Sequence, residues 1–204
     1  MELLLIRHAV PERIAANGSA GGPADPSLTA IGRDQSARLA AWLAVEGIDH
    51  VVTSPLRRAI ETAEPLADVL GLDLEVIDEL REYDADADSY IPIEEMRAEK
   101  SERWQAMVEG RWADYGGEPP DEFRGRIVPC IERVIDAYPG RRVAAVCHGG
   151  VINVYLASVL GIDRHLWFDP EYTSISRVRA ARSGPRSVGS INEHAHLVAT
   201  RNQP

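Results

Sequence analysis

The sequence predicts an α/β protein, a three-layer α/β/α sandwich with a mostly parallel central sheet and a helical cap inserted over about residues 84–138. Three observations carry that reading. Short apolar runs, Leu3-Leu4-Leu5-Ile6, Val51-Val52-Thr53 and Val143-Ala144-Ala145-Val146, read as buried strands, because they are too short and too uniformly apolar for amphipathic helices. Segments with apolar residues at helical spacing lie between them. The period then changes in the middle of the chain, where Ile91–Gly110 and Asp121–Tyr138 both carry a helical pattern with no strand between them.

Taken in order, the first strand delivers Arg7 and His8 at its end and is followed by a long loop, Pro11–Asp25, rich in Gly, Ala, Pro and Ser, which is expected to border a ligand. Thr29 caps a helix that runs through Leu43 towards Gly47. His50–Ser54 is a second strand, and Pro55 opens a helix over Leu56–Leu70 that Gly71 closes. Leu74–Ile77 is a short third strand, followed by Leu80-Arg81-Glu82-Tyr83 and an acidic stretch, Asp84–Asp88. The two helical segments of the cap are separated by the turn-forming Gly116-Gly117-Glu118-Pro119-Pro120. Strand Arg142–Cys147, helix Gly149–Leu160 and β-rich segments around Thr173–Ala181, Ser187–Ile191 and Ala195–Val198 complete the chain. No internal repeat or dividing linker interrupts these 204 residues, so one domain, 1–204, is expected.

A net charge of −10 argues against a nucleic-acid surface, which needs a basic stripe. No apolar stretch approaches the roughly 20 residues of a membrane span, and Met1 leads straight into a strand, so a cytoplasmic protein with no membrane partner is expected. Cys130 and Cys147 sit inside apolar patterns, as buried reduced thiols do. Lys100 is the only lysine among 22 basic residues, so nearly all positive charge is guanidinium, shaped for bidentate contact with oxyanions.

The chemistry concentrates where apolar runs end in histidine. Ligands of open α/β sheets bind beyond the carboxyl ends of the strands, which is where His8 and His148 fall. Arg7 beside His8, and Arg57-Arg58 in the first turn of a helix, add fixed positive charge suited to a phosphate. A neutral imidazole can attack phosphorus with one ring nitrogen while the other donates to a backbone carbonyl, and His8 is placed for that task. His148 precedes Gly149-Gly150, where small residues and free N–H groups let an anion approach the backbone. Glu82 is the candidate acid for the leaving group. His50, His165, His194 and His196 have no comparable neighbours and are read as structural or surface residues.

Four stretches in order carry a family resemblance: Arg7-His8-Ala9, Leu28-Thr29-Ala30-Ile31-Gly32-Arg33-Asp34-Gln35, Ser54-Pro55-Leu56-Arg57-Arg58-Ala59-Ile60-Glu61-Thr62-Ala63, and His148-Gly149-Gly150. Together they resemble the histidine phosphatase superfamily, in its phosphoglycerate-mutase-like branch, and the tail Asn192–Leu197 resembles that family's closing strand. The resemblance implies that His8 becomes a phosphohistidine, that Arg7 and Arg58 clamp the phosphoryl oxygens, that His148 donates to the transferring group, and that Glu82 is the proton donor. It implies no metal and no cofactor, and a small-molecule phosphate ester as partner. Ala9 stands where the family has glycine, and its methyl group is expected to crowd an anion or forbid a positive φ. The Ser, Trp and Asn stretch of the mutases is replaced by Val10–Ala15, which favours hydrolysis over return transfer. Arg13 is a candidate for the substrate's far end.

Other classes fit less well. Asp84, Asp86 and Asp88 mimic a calcium loop, but Ser89 stands where its turn needs glycine. A cysteine phosphatase on Cys147 needs an arginine where Asn153 stands, and no nucleotide-binding or serine-hydrolase motif is present. A phosphoglycerate mutase, or a catalytically weak phospholigand-binding module, is the alternative to a phosphomonoesterase. Trp104, Trp112 and Trp167 are read as exposed residues that either line a homodimer contact or pack the cap.

Overall fold

A computed structural model describes residues 1–15, 22–182 and 184–198. Residues 16–21 of the expected Pro11–Asp25 loop lie outside the described residues. Six strands form one sheet: β1 (Glu2–Arg7), β2 (His50–Thr53), β3 (Leu74–Val76), β4 (Arg142–Cys147), β5 (Ile175–Ala180) and β6 (Arg186–Glu193). Their spatial order is β3-β2-β4-β1-β5-β6. The pairs β1/β4, β2/β4 and β2/β3 are parallel, and β1/β5 and β5/β6 are antiparallel, so the sheet is mostly parallel with an antiparallel edge.

Alternation along the strands divides the core in two. Leu4, Ile6, Val51, Ala144 and Val146 face α1 (Ala30–Leu43) and α2 (Arg57–Leu70), where Leu39, Leu43, Ala63 and Leu66 meet them. Leu3, Leu5, Val52, Val143 and Ala145 face the opposite layer. That layer holds α5 (Pro120–Ala137) and α6 (Gly149–Leu160), through Phe123, Ile127, Ile131, Ile152 and Leu156. The sandwich is therefore the expected one. Thr29 caps α1 with its side-chain oxygen on the Gly32 N–H, and Gly71 ends α2 in the left-handed region at φ 63°, both as the sequence indicated. Pro65 inside α2 removes a backbone donor, and the Ser36 hydroxyl reaches across from α1 to the Thr62 carbonyl at 2.9 Å in the turn so weakened.

Three expectations need correction. Ile91–Gly110 is two short helices, α3 (Ile93–Ala98) and α4 (Glu102–Val108). Lys100 at φ 49° breaks the run, and the Ser101 side chain starts the second helix by accepting from the Trp104 N–H. Ala195–Val198 is a helical turn, α7, instead of a strand; it follows β6, whose last but one residue, Asn192, takes the left-handed conformation at φ 60°. Trp112 is buried against Tyr83 and Phe123, and Trp104 and Trp167 are half-buried, so the expected exposure fails for Trp112 and is only partial for the other two. Among residues 84–138, the stretch through Val108 lines the cavity at the carboxyl ends of the strands, whereas α5 packs beside α6. Cys130 and Cys147 are buried free thiols. Among the described residues no helix is long and apolar enough to cross a membrane.

Candidate active site

The helix after β1 lies on one face of the sheet and the helix after β4 on the other, so a crevice opens where these neighbouring strands end. Their register pairs Arg7 with Cys147, which brings the next residues, His8 and His148, side by side. The imidazole centroids are 5.2 Å apart. The His8 N–H donates to the Cys147 carbonyl at 2.9 Å and ties the two strand ends together.

His8 is buried, and its Nδ1 donates to the Ala9 carbonyl at 2.8 Å. That contact puts the proton on Nδ1 and the lone pair on Nε2. Burial, with Arg58 and Arg7 nearby, holds the His8 pKa well below the usual histidine range, so the ring is neutral at physiological pH. His148 is depressed for the same reasons, burial foremost. Its Nε2 lies 2.7 Å from Ser54 Oγ, which itself accepts from the Leu56 N–H at 3.3 Å. His148 Nδ1 is a buried atom with no protein partner.

Arg7 and Arg58 are both buried beneath this crevice. Arg7 rests on the Tyr172 ring at 3.8 Å and donates to Glu94 at 3.0 Å. Tyr172 is held there by its neighbour Thr173, a β-branched residue at φ 59° whose N–H bonds the Arg7 carbonyl at 3.0 Å. Arg58 stacks on Tyr90 at 4.7 Å and forms an ion pair with Asp84 at 3.7 Å. Arg57 points outward to Glu61, so only the second member of the arginine pair belongs to the site. Arg7 Nε and Arg58 Nε and Nη1 are buried without protein partners.

Glu82 completes the group. Its carboxylate accepts from the Gly150 N–H at 2.8 Å and the Tyr83 N–H at 3.1 Å. Desolvation and the neighbouring Asp84 outweigh those bonds and push its pKa up to about 7. A β-carbon at Gly150 would come within 2.3 Å of Glu82 Oε1, so only glycine allows this contact. Arg7, His8, Arg58, Glu82 and Gly149 line one cavity of about 340 Å³, and His148 is fully buried beside His8.

Two sequence expectations fail at this site. Arg13 does not reach the cavity: it is mostly exposed and pairs with Glu95 at 3.4 Å. Ala9 needs no left-handed backbone and is not among the cavity-lining residues; its N–H bonds Thr62 Oγ1 at 2.9 Å. Ser54, Asp84, Glu94, Tyr90 and Tyr172 went unrecognised. Ser54 lay within a quoted motif, and Asp84 within the acidic stretch; the other three had no local signal, since they reach the arginines only through tertiary packing.

Comparison with known proteins agrees with this geometry. A family model described as the histidine phosphatase superfamily (branch 1) matches residues 3–193. Glucosyl-3-phosphoglycerate phosphatase of Mycolicibacterium vanbaalenii is 30% identical over 173 residues, which cover 81% of this chain and 76% of the relative. Probable phosphoglycerate mutase GpmB of Yersinia enterocolitica is 28% identical over 171 residues, 81% of this chain and 77% of that protein. In fold, the chain is similar to a phosphoserine phosphatase mutant (H9A) from Entamoeba histolytica in complex with phosphoserine, with a TM-score of 0.76, 21% identity, and coverage of 96% of this chain and 98% of that one.

Proposed function

The chain belongs to the histidine phosphatase superfamily (branch 1), and on that premise we propose that it is a phosphoric monoester hydrolase acting through a phosphohistidine on a small phosphorylated metabolite. The observation that carries the reading is a set of buried donors without protein partners, Arg7 Nε, Arg58 Nε and Nη1 and His148 Nδ1, gathered about one neutral imidazole. Buried polar groups are normally satisfied, so unspent donors of this number fit phosphoryl oxygens.

In the first step His8 Nε2 attacks phosphorus in line with the ester oxygen. The N–P bond forms as the P–O bond breaks, and Glu82 gives its proton to the departing alkoxide. Arg7, Arg58 and His148 hold the three equatorial oxygens, whose charge they neutralise in a site shielded from water. In the second step water attacks the phosphoryl group, the Glu82 carboxylate takes the water proton, and phosphate leaves with His8 restored. A carboxyl with pKa about 7 serves both directions, as acid and then as base. The positive charge comes from guanidinium groups, so the reaction is metal-independent, and the two free thiols fit a cytoplasmic setting.

A phosphoglycerate mutase is the second reading, favoured by the likeness to GpmB. Release of inorganic phosphate from p-nitrophenyl phosphate in the presence of a chelator tests the first reading. Phosphate release that His8→Ala abolishes supports it; isomerisation of 3-phosphoglycerate in place of hydrolysis would transfer the reading to a mutase.

A further inference from the structure

The cavity that holds the reacting groups extends well past them, and its outer wall is apolar. Ile91, Ile93, Met96, Trp104 and Met107 come from the cap, and Leu166, Trp167 and Phe168 from the segment after α6. Most are half-buried in the protein, with their remaining surface turned to this cavity. Asn153 fixes the second wall: its side chain accepts from the Trp167 and Phe168 N–H groups and donates to the Gly149 and Phe168 carbonyls. The Trp167 indole N–H donates to the Asn153 carbonyl at 3.1 Å, and the Tyr83 hydroxyl to Met107 Sδ at 3.3 Å. Those polar groups are therefore already spent within the protein, and they offer little to sugar hydroxyls.

Charge is arranged to the same effect. Three arginines line the cavity. Arg7 and Arg58 are the phosphoryl clamp, and the third, Arg97, is ion-paired with Asp169 in the wall itself. Asp84 and Asp169 also line it and pair with Arg58 and Arg97, so a carboxylate on the leaving group finds no guanidinium there that is both unpaired and outside the phosphoryl clamp. We infer that the leaving group is the alcohol of a phosphate monoester with an uncharged, largely apolar or aromatic body, seated between the cap residues Met96, Trp104 and Met107 and the Leu166–Phe168 wall. The inference rests on the phosphatase reading above and deepens it.

Three esters that each release a primary alkoxide, 3-phenylpropyl phosphate, glycerol 3-phosphate and 3-phosphoglycerate, keep leaving-group strength similar, with the vicinal hydroxyl of the last two slightly favouring them. Burial of the phenylpropyl body predicts a kcat/KM about 10- to 100-fold above that for 3-phosphoglycerate, mainly through KM. Trp104→Ala is expected to lower the ratio of kcat/KM for phenylpropyl phosphate to that for glycerol 3-phosphate by about 10-fold. Val108 is 63% exposed at the cavity mouth, so Val108→Arg tests the charge argument without touching the core. It should raise kcat/KM for 3-phosphoglycerate and leave the phenylpropyl value within about 2-fold. Equal or better turnover of 3-phosphoglycerate by the unaltered protein overturns this inference and leaves the phosphatase reading intact. Absence of turnover of all three esters alongside hydrolysis of p-nitrophenyl phosphate also overturns the inference alone, whereas absence of p-nitrophenyl phosphate hydrolysis as well overturns the phosphatase reading and the inference with it.

Discussion

His8 and His148 share burial and a depressed pKa, and their different hydrogen bonds give them opposite tasks. In the proposed mechanism the carbonyl at Nδ1 leaves His8 Nε2 free to attack, and the unpartnered Nδ1 of His148 is assigned the donor role. His8→Ala is expected to lower kcat on phosphate monoesters by at least about 10³-fold, measured as phosphate release, with thermal stability little changed. Glu82→Gln keeps the shape but not the proton, and should cost about 10²- to 10⁴-fold in kcat. Because the folded Glu82 pKa is raised to about 7, kcat/KM should fall about tenfold per pH unit above that value as the acid is lost, and His8, held below the usual range, adds no limb near pH 6.5. The same shift links to stability. The stabilising effect of the protonated group is complete below the ordinary carboxylate range and is lost as pH rises through about 7, and urea titrations of Glu82→Gln should lack that slope. Gly150→Ala pushes against Glu82 Oε1 and is expected to reproduce part of the Glu82→Gln loss, read as a lowered kcat with an altered alkaline limb. The histidines and arginines could be read from the sequence because each stands at the end of an apolar run or in a first helical turn. Asp84 and Glu94, which face the arginines from the cap, could not be assigned because nothing local distinguishes them from solvated carboxylates.

At the scale of elements, strands and capped helices were legible wherever one rule governed them. Leu3–Ile6 and Val143–Val146 are continuously apolar because both faces of the sheet are covered, and Thr29 and Gly71 are local signals that no tertiary contact contradicts. Where backbone conformation overrode the side-chain period, reading failed. Lys100 takes positive φ and breaks a run that the pattern would have continued, and Asn192 takes positive φ just before a segment that turns helical instead of extended. Lys100→Gly removes the side-chain clash of the left-handed region at the α3–α4 junction, and is expected to stabilise the protein by about 0.5–1 kcal/mol in denaturant titrations. Destabilisation instead would mean that α3 and α4 join as one helix. The half-buried Trp104 and Trp167 show the same limit from another side: an apolar residue on a cap helix reads as surface or core, and only the fold reveals that it lines a cavity.

At the scale of the molecule, a chain of net charge −10 holds a cationic site because Arg7 at the carboxyl end of β1 and Arg58 in the first turn of α2 converge there. That convergence depends on the sheet. Leu5 lies at the centre of one apolar layer, fully buried, and Leu5→Ala is expected to cost about 2–5 kcal/mol in unfolding free energy while leaving KM for any surviving folded enzyme nearly unchanged. The mostly parallel order and both layers followed from the alternation of periods, but the placement of β5 and β6 antiparallel beside β1 did not, since pairing partners are set by tertiary packing. The most direct test of a neutral histidine carrying phosphorus is rapid-quench trapping with a ³²P-labelled monoester. A label on His8 that is stable in alkali, labile in acid, formed within one turnover and missing from His8→Ala is the expected result. Undiminished turnover by His8→Ala, or label on any other residue, would contradict it.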